Sequence, residues 1–197
     1  VKADEPFIFD VTKIEILKNG NQINGYDGGS ATSNDGSTIT GENFFYNKLT
    51  NILEISGSVR YLDKIKNVII SGDKVIYLKN DEKIYTIGNS KAVNDKTTIT
   101  ASNLEYDKIN NIFKAEEDAV VTDLEKDTII YANEITYFKN DEKIFTQGKT
   151  KALIEKKYKF NSENVSYFRN SEDIFSKQKS SLEDDSGNIY KLDSFSY

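Results

Sequence analysis

Apolar and polar residues alternate along this chain in short runs, and one run returns about every thirty residues. An apolar side chain, one intervening residue and a tyrosine recur as Phe44-x-Tyr46, Val75-x-Tyr77, Leu104-x-Tyr106, Ile135-x-Tyr137, Val165-x-Tyr167 and Phe195-x-Tyr197. One step back from Tyr46 lies Ile16, in the alternating run Ile14-x-Ile16. Period-two alternation places both members of each pair on one face of a β-strand. Repetition at this period marks a stacked architecture in which each unit completes its neighbour's core.

Each unit has the same anatomy. A first strand carries Ile39, Ile70, Ile99, Ile130 or Phe160, and the apolar-x-Tyr strand follows after two polar residues. A polar turn comes next, and Lys-Asn-Asp-Glu-Lys-Ile stands verbatim at 79–84 and 139–144. Such Asn and Asp clusters are hairpin chemistry, and these turns read as solvated. Two apolar residues follow each turn (Ile52-Leu53, Ile84-Tyr85, Ile112-Phe113, Ile144-Phe145, Ile174-Phe175), and alternation leaves open which one points inward. The second is favoured, which places Leu53, Tyr85, Phe113, Phe145 and Phe175 inside. Gly57, Gly88 and Gly148 then interrupt the alternation and suggest bends between sheets. Glu117 and Lys177 stand at that position in two units, which leaves the local bend there open. The glycine-rich stretch from Tyr26 to Ser37 reads as a longer loop, and the one proline, Pro6, precedes the repeats. The expectation is all-β: roughly a dozen or more short antiparallel strands and no helix of consequence.

Composition narrows the function. Over 197 residues, 37% hydrophobic and 12% aromatic content fits a thin body with one apolar layer. The repeat predicts a single domain over 7–197, after a short extension at 1–6. Net charge is -6, with 32 acids and 26 bases interleaved, so the basic stripe that nucleic acid requires is missing. With no Cys and no His, disulfides, sulfur- or imidazole-based metal sites and His-based catalysis are excluded. The acids Asp107, Glu116, Glu117, Asp118 and Asp123 share no position across units, so no paired-carboxylate site is read from them. The turns at 80–82 and 140–142 lack the glycine-rich pattern of calcium repeats. No catalytic residue, metal or cofactor is expected, and the protein reads as non-enzymatic. An adhesin-like or carbohydrate-binding β-solenoid stands as the alternative reading.

The stretches Ile39-Thr-Gly-Glu-Asn-Phe-Phe-Tyr46, Asn51-Ile-Leu53, Gly57-Ser-Val59, Ile99-Thr-Ala-Ser-Asn-Leu-Glu-Tyr106 and Asn111-Ile-Phe113 carry a resemblance. Their pattern resembles the OstA-like β-jellyroll of the lipopolysaccharide transport (Lpt) machinery over about residues 7–197. It is most similar there to the amino-terminal periplasmic domain of the translocon subunit LptD, with the soluble bridge protein LptA second. The resemblance implies an elongated V-shaped jellyroll, or β-taco, open at both ends, located in the periplasm and associated with the outer membrane. It implies a lipid conduit for lipopolysaccharide. Its expected partners are an LptA-like bridge protein and, for the translocon, an outer-membrane barrel with its plug lipoprotein.

On that reading the lipid groove is lined by Ile39, Phe44, Tyr46, Leu53, Ile70, Val75, Tyr77, Tyr85, Ile99, Leu104, Tyr106, Phe113, Ile130, Ile135, Tyr137, Phe145, Phe160, Val165 and Tyr167. The same rows are also what the core of any stacked β fold presents. A tyrosine hydroxyl at the groove mouth either meets a sugar or phosphate or simply reaches solvent. The first strand, with Phe7, Phe9, Val11, Ile14 and Ile16, is the edge expected to add to a bridge protein by strand pairing. Lys108 and Lys114 are expected to point outward. The chain stops on Tyr197 before that unit's turn, and with the opening Val1-Lys2-Ala3-Asp4-Glu5 this reads as the amino-terminal fragment of a longer mature chain.

Overall fold

The computed structural model describes residues 6–196; the expected mature start at Val1–Glu5 and the final Tyr197 lie outside them. Among the described residues, 17 strands form one sheet. They are β1 Phe7–Leu17, β2 Gln22–Ser33, β3 Thr38–Gly41, β4 Asn43–Asn47, β5 Ile52–Asp63, β6 Val68–Leu78, β7 Lys83–Asn94, β8 Thr97–Asp107 and β9 Ile112–Asp123. The rest are β10 Thr128–Phe138, β11 Lys143–Ile154, β12 Tyr158–Glu163, β13 Ser166–Phe168, β14 Asp173–Ser176, β15 Ser180–Glu183, β16 Ile189–Leu192 and β17 Phe195–Ser196. Pairing is antiparallel throughout and mostly between chain neighbours. The solenoid alternative would stack parallel coils, so this pairing argues against it.

The strands are longer than their alternation suggests, because two short runs join through a bend. The first-strand run and the apolar-x-Tyr run form one strand in β6, β8 and β10. Both halves of each long strand present one face to a shared interior, which folds the sheet along a transverse crease. Tyr61 and Tyr77, from opposite halves, meet edge to face at 6.5 Å. Phe7 reaches Tyr46 and Tyr77 in the same way, at 5.3 and 5.5 Å.

The crease is built by one extra residue on each returning strand. Between β5 and β6 the register passes from Ser56↔Lys74 to Val59↔Gly72, so β5 spends three steps against two. The same bulge recurs in β2, β7, β9 and β11. Such a residue is easiest in the left-handed region, and Gly57, Gly88 and Gly148 hold φ of 84°, 73° and 77°. The open question at the two glycine-less units resolves differently in each. Glu117 adopts φ 63° and keeps the bend. Around Lys177 the strand stops, and 177–179 form a loop between β14 and β15.

The expected loop over Tyr26–Ser37 is a correction. Residues up to Ser33 belong to β2, and a turn occupies only 34–37. Its glycines serve the crease and a close strand approach: a Cβ on Gly29 would lie 2.6 Å from the Val11 Cα.

Candidate lipid-binding interior and its mouth

The inward row follows one rule. In every hairpin the residue facing the tyrosine is the seventh after it: Tyr46↔Leu53, Tyr77↔Ile84, Tyr106↔Phe113, Tyr137↔Ile144 and Tyr167↔Ile174. Directly opposed residues share a face, so turn length decides which of the post-turn pair enters. Leu53 and Phe113 are inside as expected. Tyr85, Phe145 and Phe175 are not: they lie on the outer face, and Ile84, Ile144 and Ile174 take the inward places. Counting from the tyrosine instead of from the apolar pair would have found this.

The remaining expected lining residues come together. Ile39, Ile70, Ile99, Ile130 and Phe160 on one half face Phe44, Val75, Leu104, Ile135 and Val165 with Tyr46, Tyr77, Tyr106, Tyr137 and Tyr167 on the other. Each pair of first-strand and tyrosine-strand residues is five apart, an odd step that absorbs the crease. All are buried, so the two halves cover one another and the interior is closed rather than an open groove. Where the returning strands cross the crease, hydroxyls pair inside it. Thr86 meets Ser90 and Thr146 meets Thr150, both at 2.6 Å.

The tyrosine hydroxyls meet the protein itself. Four of the five donate to the residue five positions on, in their own turns: Tyr46 to Asn51 at 2.8 Å, Tyr106 to Asn111 at 3.3 Å, Tyr137 to Glu142 at 3.2 Å, and Tyr77 to Glu82. These acceptors are all left-handed, with φ of 48° to 54°. Burial raises the pKa of Tyr61, Tyr77, Tyr106 and Tyr137 well above that of the ordinary phenol, and that of Tyr167 is pushed up to about 12. The phenols stay neutral donors.

Folding the sheet in half brings the turns at the two strand ends together at a mouth, and charged side chains tie them across it. Lys108 is a correction to the outward expectation: it is 4% exposed. From the tyrosine-end turns it reaches Asp35 on the opposite rim, with Glu82 Oε2 at 3.0 Å and the Tyr77 hydroxyl at 2.9 Å. Lys66 donates back across to the Lys108 carbonyl and to Asn111 Oδ1 at 3.1 Å. Lys139 donates to the Lys66 carbonyl at 2.8 Å. Farther along, Arg169 Nε binds the buried Asp123 at 2.6 Å while Nη1 binds Glu142 and Tyr137, and Lys126 pairs with Glu172.

Burial opposes ionisation of Asp35, but hydrogen bonds from Lys108 and Ser37 outweigh it and hold its carboxyl far below the usual range. Glu82 is lowered likewise: burial is outweighed by Lys79, Tyr77 and Lys108. The verbatim turns are therefore not merely solvated hairpins, and the acids do recur at shared positions. Glu82 and Glu142 are equivalent, as are Asp63 and Asp123, which close their strands and accept turn N–H groups. Lys114 lies on the outer face, as expected, paired with Glu116 at 2.5 Å. Among the described residues no acidic cluster could hold a metal ion, and no helix is long and apolar enough to cross a membrane.

The first strand pairs only with β2, and β16 and β17 pair only with β15 and β14 among the described residues. In β1, Phe7 is buried, and Phe9 and Val11 pack partly on the core. Ile14 and Ile16 oppose Gly25 and Ile23, so they continue the inner face, yet they are 54% and 61% exposed because no further strand covers them.

No family model and no curated protein matches the chain. Among solved structures it is similar to LptH of Pseudomonas aeruginosa, the LptA-homologous periplasmic component of a lipopolysaccharide transport device. That match has TM-score 0.53 and 15% identity over 58% of this chain and 84% of LptH. The shared feature is the fold, an LptA-like β-jellyroll. The TCP10 domain of Danio rerio CPAP, solved with a STIL peptide, aligns over 94% of this chain at TM-score 0.22 and 10% identity, too loosely to bear on the fold.

Proposed function

We propose that this jellyroll is a non-enzymatic conduit of the lipopolysaccharide-transport type, working in the periplasm. It holds acyl chains between its halves and joins a neighbouring jellyroll edge to edge. The observation that carries this reading is the inner face itself. One apolar row runs across the sheet from Ile14 and Ile16 to Phe195, and at β1 it is left uncovered. A row that ends exposed beside an unpaired strand edge is suited to continuation by another sheet. The likeness to a periplasmic transport component supports the same reading. Because the interior is closed at rest, acyl chains enter by parting the two halves. Each methylene then transferred from water gains about 0.8 kcal/mol.

Within such machinery the sequence resemblance favours an amino-terminal translocon domain, and the structural likeness is to a bridge component. A translocon domain would offer only the β1 edge to a bridge protein, while a bridge would use both edges. Photo-crosslinking tests the reading. A photoreactive residue replacing Tyr106 or Phe113 is expected to capture lipopolysaccharide, and one replacing the outer Lys114 is not. Equal capture at all three, or none at the inner two, sinks it.

A further inference from the structure

The mouth carries a second kind of side chain beside its charges. Ile65, Ile109 and Leu124 sit in its turns at 85%, 66% and 66% exposure. Each is next to or near a cation of the mouth: Ile65 precedes Lys66, Ile109 follows Lys108, and Leu124 lies two residues before Lys126. Exposed aliphatic side chains at turn tips gain nothing from water, and here they line up on both rims of one seam. Lys108 and Arg169 sit where the rim meets the interior. The Lys108 ammonium lies 5.2 Å from the Tyr77 ring and 5.8 Å from the Tyr61 ring, and the Arg169 guanidinium 5.8 Å from the Tyr137 ring. A cavity of about 230 Å³ opens beside Lys108, lined by Asp35, Asp63, Ile65, Lys66, Glu82 and Ile109. At ~30 Å³ per water, that leaves room for a phosphate-sized group.

A molecule whose acyl chain lies between the halves must place its headgroup at this rim. Parting the halves breaks the Lys108–Asp35 and Arg169–Asp123 pairs, so each largely desolvated cation keeps only the carboxylate on its own rim, Glu82 or Glu142. An uncharged headgroup does not replace the carboxylate each has lost. A phosphate offers more charge than the carboxylate it displaces, and a guanidinium matches it in bidentate geometry.

Resting on the conduit reading above, we propose that the mouth is a phosphate-operated latch. Lys108 and Arg169 pass from Asp35 and Asp123 to the phosphate of an acylated amphiphile, the seam parts, and the aliphatic tips receive the emerging chain.

The test measures binding of oleoylglycerol phosphate, oleoylglycerol and inorganic phosphate to the full chain by calorimetry. The phosphorylated amphiphile is expected to bind at least about tenfold tighter than the uncharged one, as hydrogen bonds to charged groups allow. Inorganic phosphate, lacking the chain, binds far more weakly than either. Lys108→Gln with Arg169→Gln is expected to abolish the phosphate preference while the far-ultraviolet circular dichroism persists. Should that variant fail to fold, Asp35→Asn with Asp123→Asn serves. It unlatches the seam, so oleoylglycerol binds tighter than to the unaltered chain. Equal affinity for the two amphiphiles, a preference retained in the folded Gln variant, or unchanged oleoylglycerol affinity in the Asn variant overturns the latch and leaves the conduit standing. If neither amphiphile binds the unaltered chain or the Asn variant, the conduit reading falls and takes the latch with it.

Discussion

The crease and the mouth are opposite ends of one folded sheet, and they are held by different physics. At the crease the chain is covalently continuous. Its bend is a backbone matter: one extra residue per returning strand, positive φ at Gly57, Gly88, Glu117 and Gly148, and hydroxyl pairs such as Thr86–Ser90. At the mouth nothing is continuous. Lys108 meets Asp35 across 73 residues and Arg169 meets Asp123 across 46, through side chains alone. The crease is therefore a fixed hinge, whereas the mouth is the side that can part without disturbing the strand ladders.

That contrast can be broken most forcefully at the mouth. Replacing Arg169 by Leu leaves Asp123, whose side chain is 1% exposed, without its counter-ion. A loss of about 3 kcal/mol in unfolding free energy is expected. Urea melts check it, and adding Asp123→Asn to the same chain is expected to recover most of the loss. Full stability in the single variant would mean the mouth is not a closure.

The crease offers two smaller effects of opposite sign. Gly88→Val is expected to cost about 2 kcal/mol, because a β-branched residue resists φ 73° and its Cβ meets the Asp73 carboxylate. Glu117→Gly, which frees a non-glycine residue from φ 63°, is expected to stabilise by about 0.5 kcal/mol. The same two melts measure both, and equal behaviour at the two sites would dissolve the idea of a common bulge column.

The smallest effect is acid sensitivity, and it separates the two regions cleanly. The carboxyls of Asp35 and Glu82 titrate lower in the folded protein than in the unfolded chain. Their contribution is thus complete above the ordinary carboxylate range of about 4 and lost as pH falls through the depressed folded values. Thermal melts at pH 5 and pH 3 are expected to show a larger drop for the unaltered chain than for Asp35→Asn with Glu82→Gln. The crease hydroxyls, which do not titrate here, add nothing to either drop.

Much of the crease was legible in the chain. The glycines at 57, 88 and 148 and the constant step of five from Ile70 to Val75 or Ile99 to Leu104 are local features, set within one hairpin. The inner row was legible for the same reason, up to the post-turn pairs. There the rings of Tyr85, Phe145 and Phe175 look more core-like than isoleucine, while the register obeys turn length. The mouth was not legible. Lys108 looks like one more solvated turn lysine, and only folding the sheet in half sets it against Asp35.

By itself, then, the sequence determined a period of about thirty residues, the alternating strands and the apolar row, because each is written in spacings shorter than one unit. Tertiary structure alone decided that the halves close on each other, which rings turn outward and which charges meet at the seam. Those outcomes depend on strand register and on contacts between turns several units apart, and no local pattern encodes such contacts.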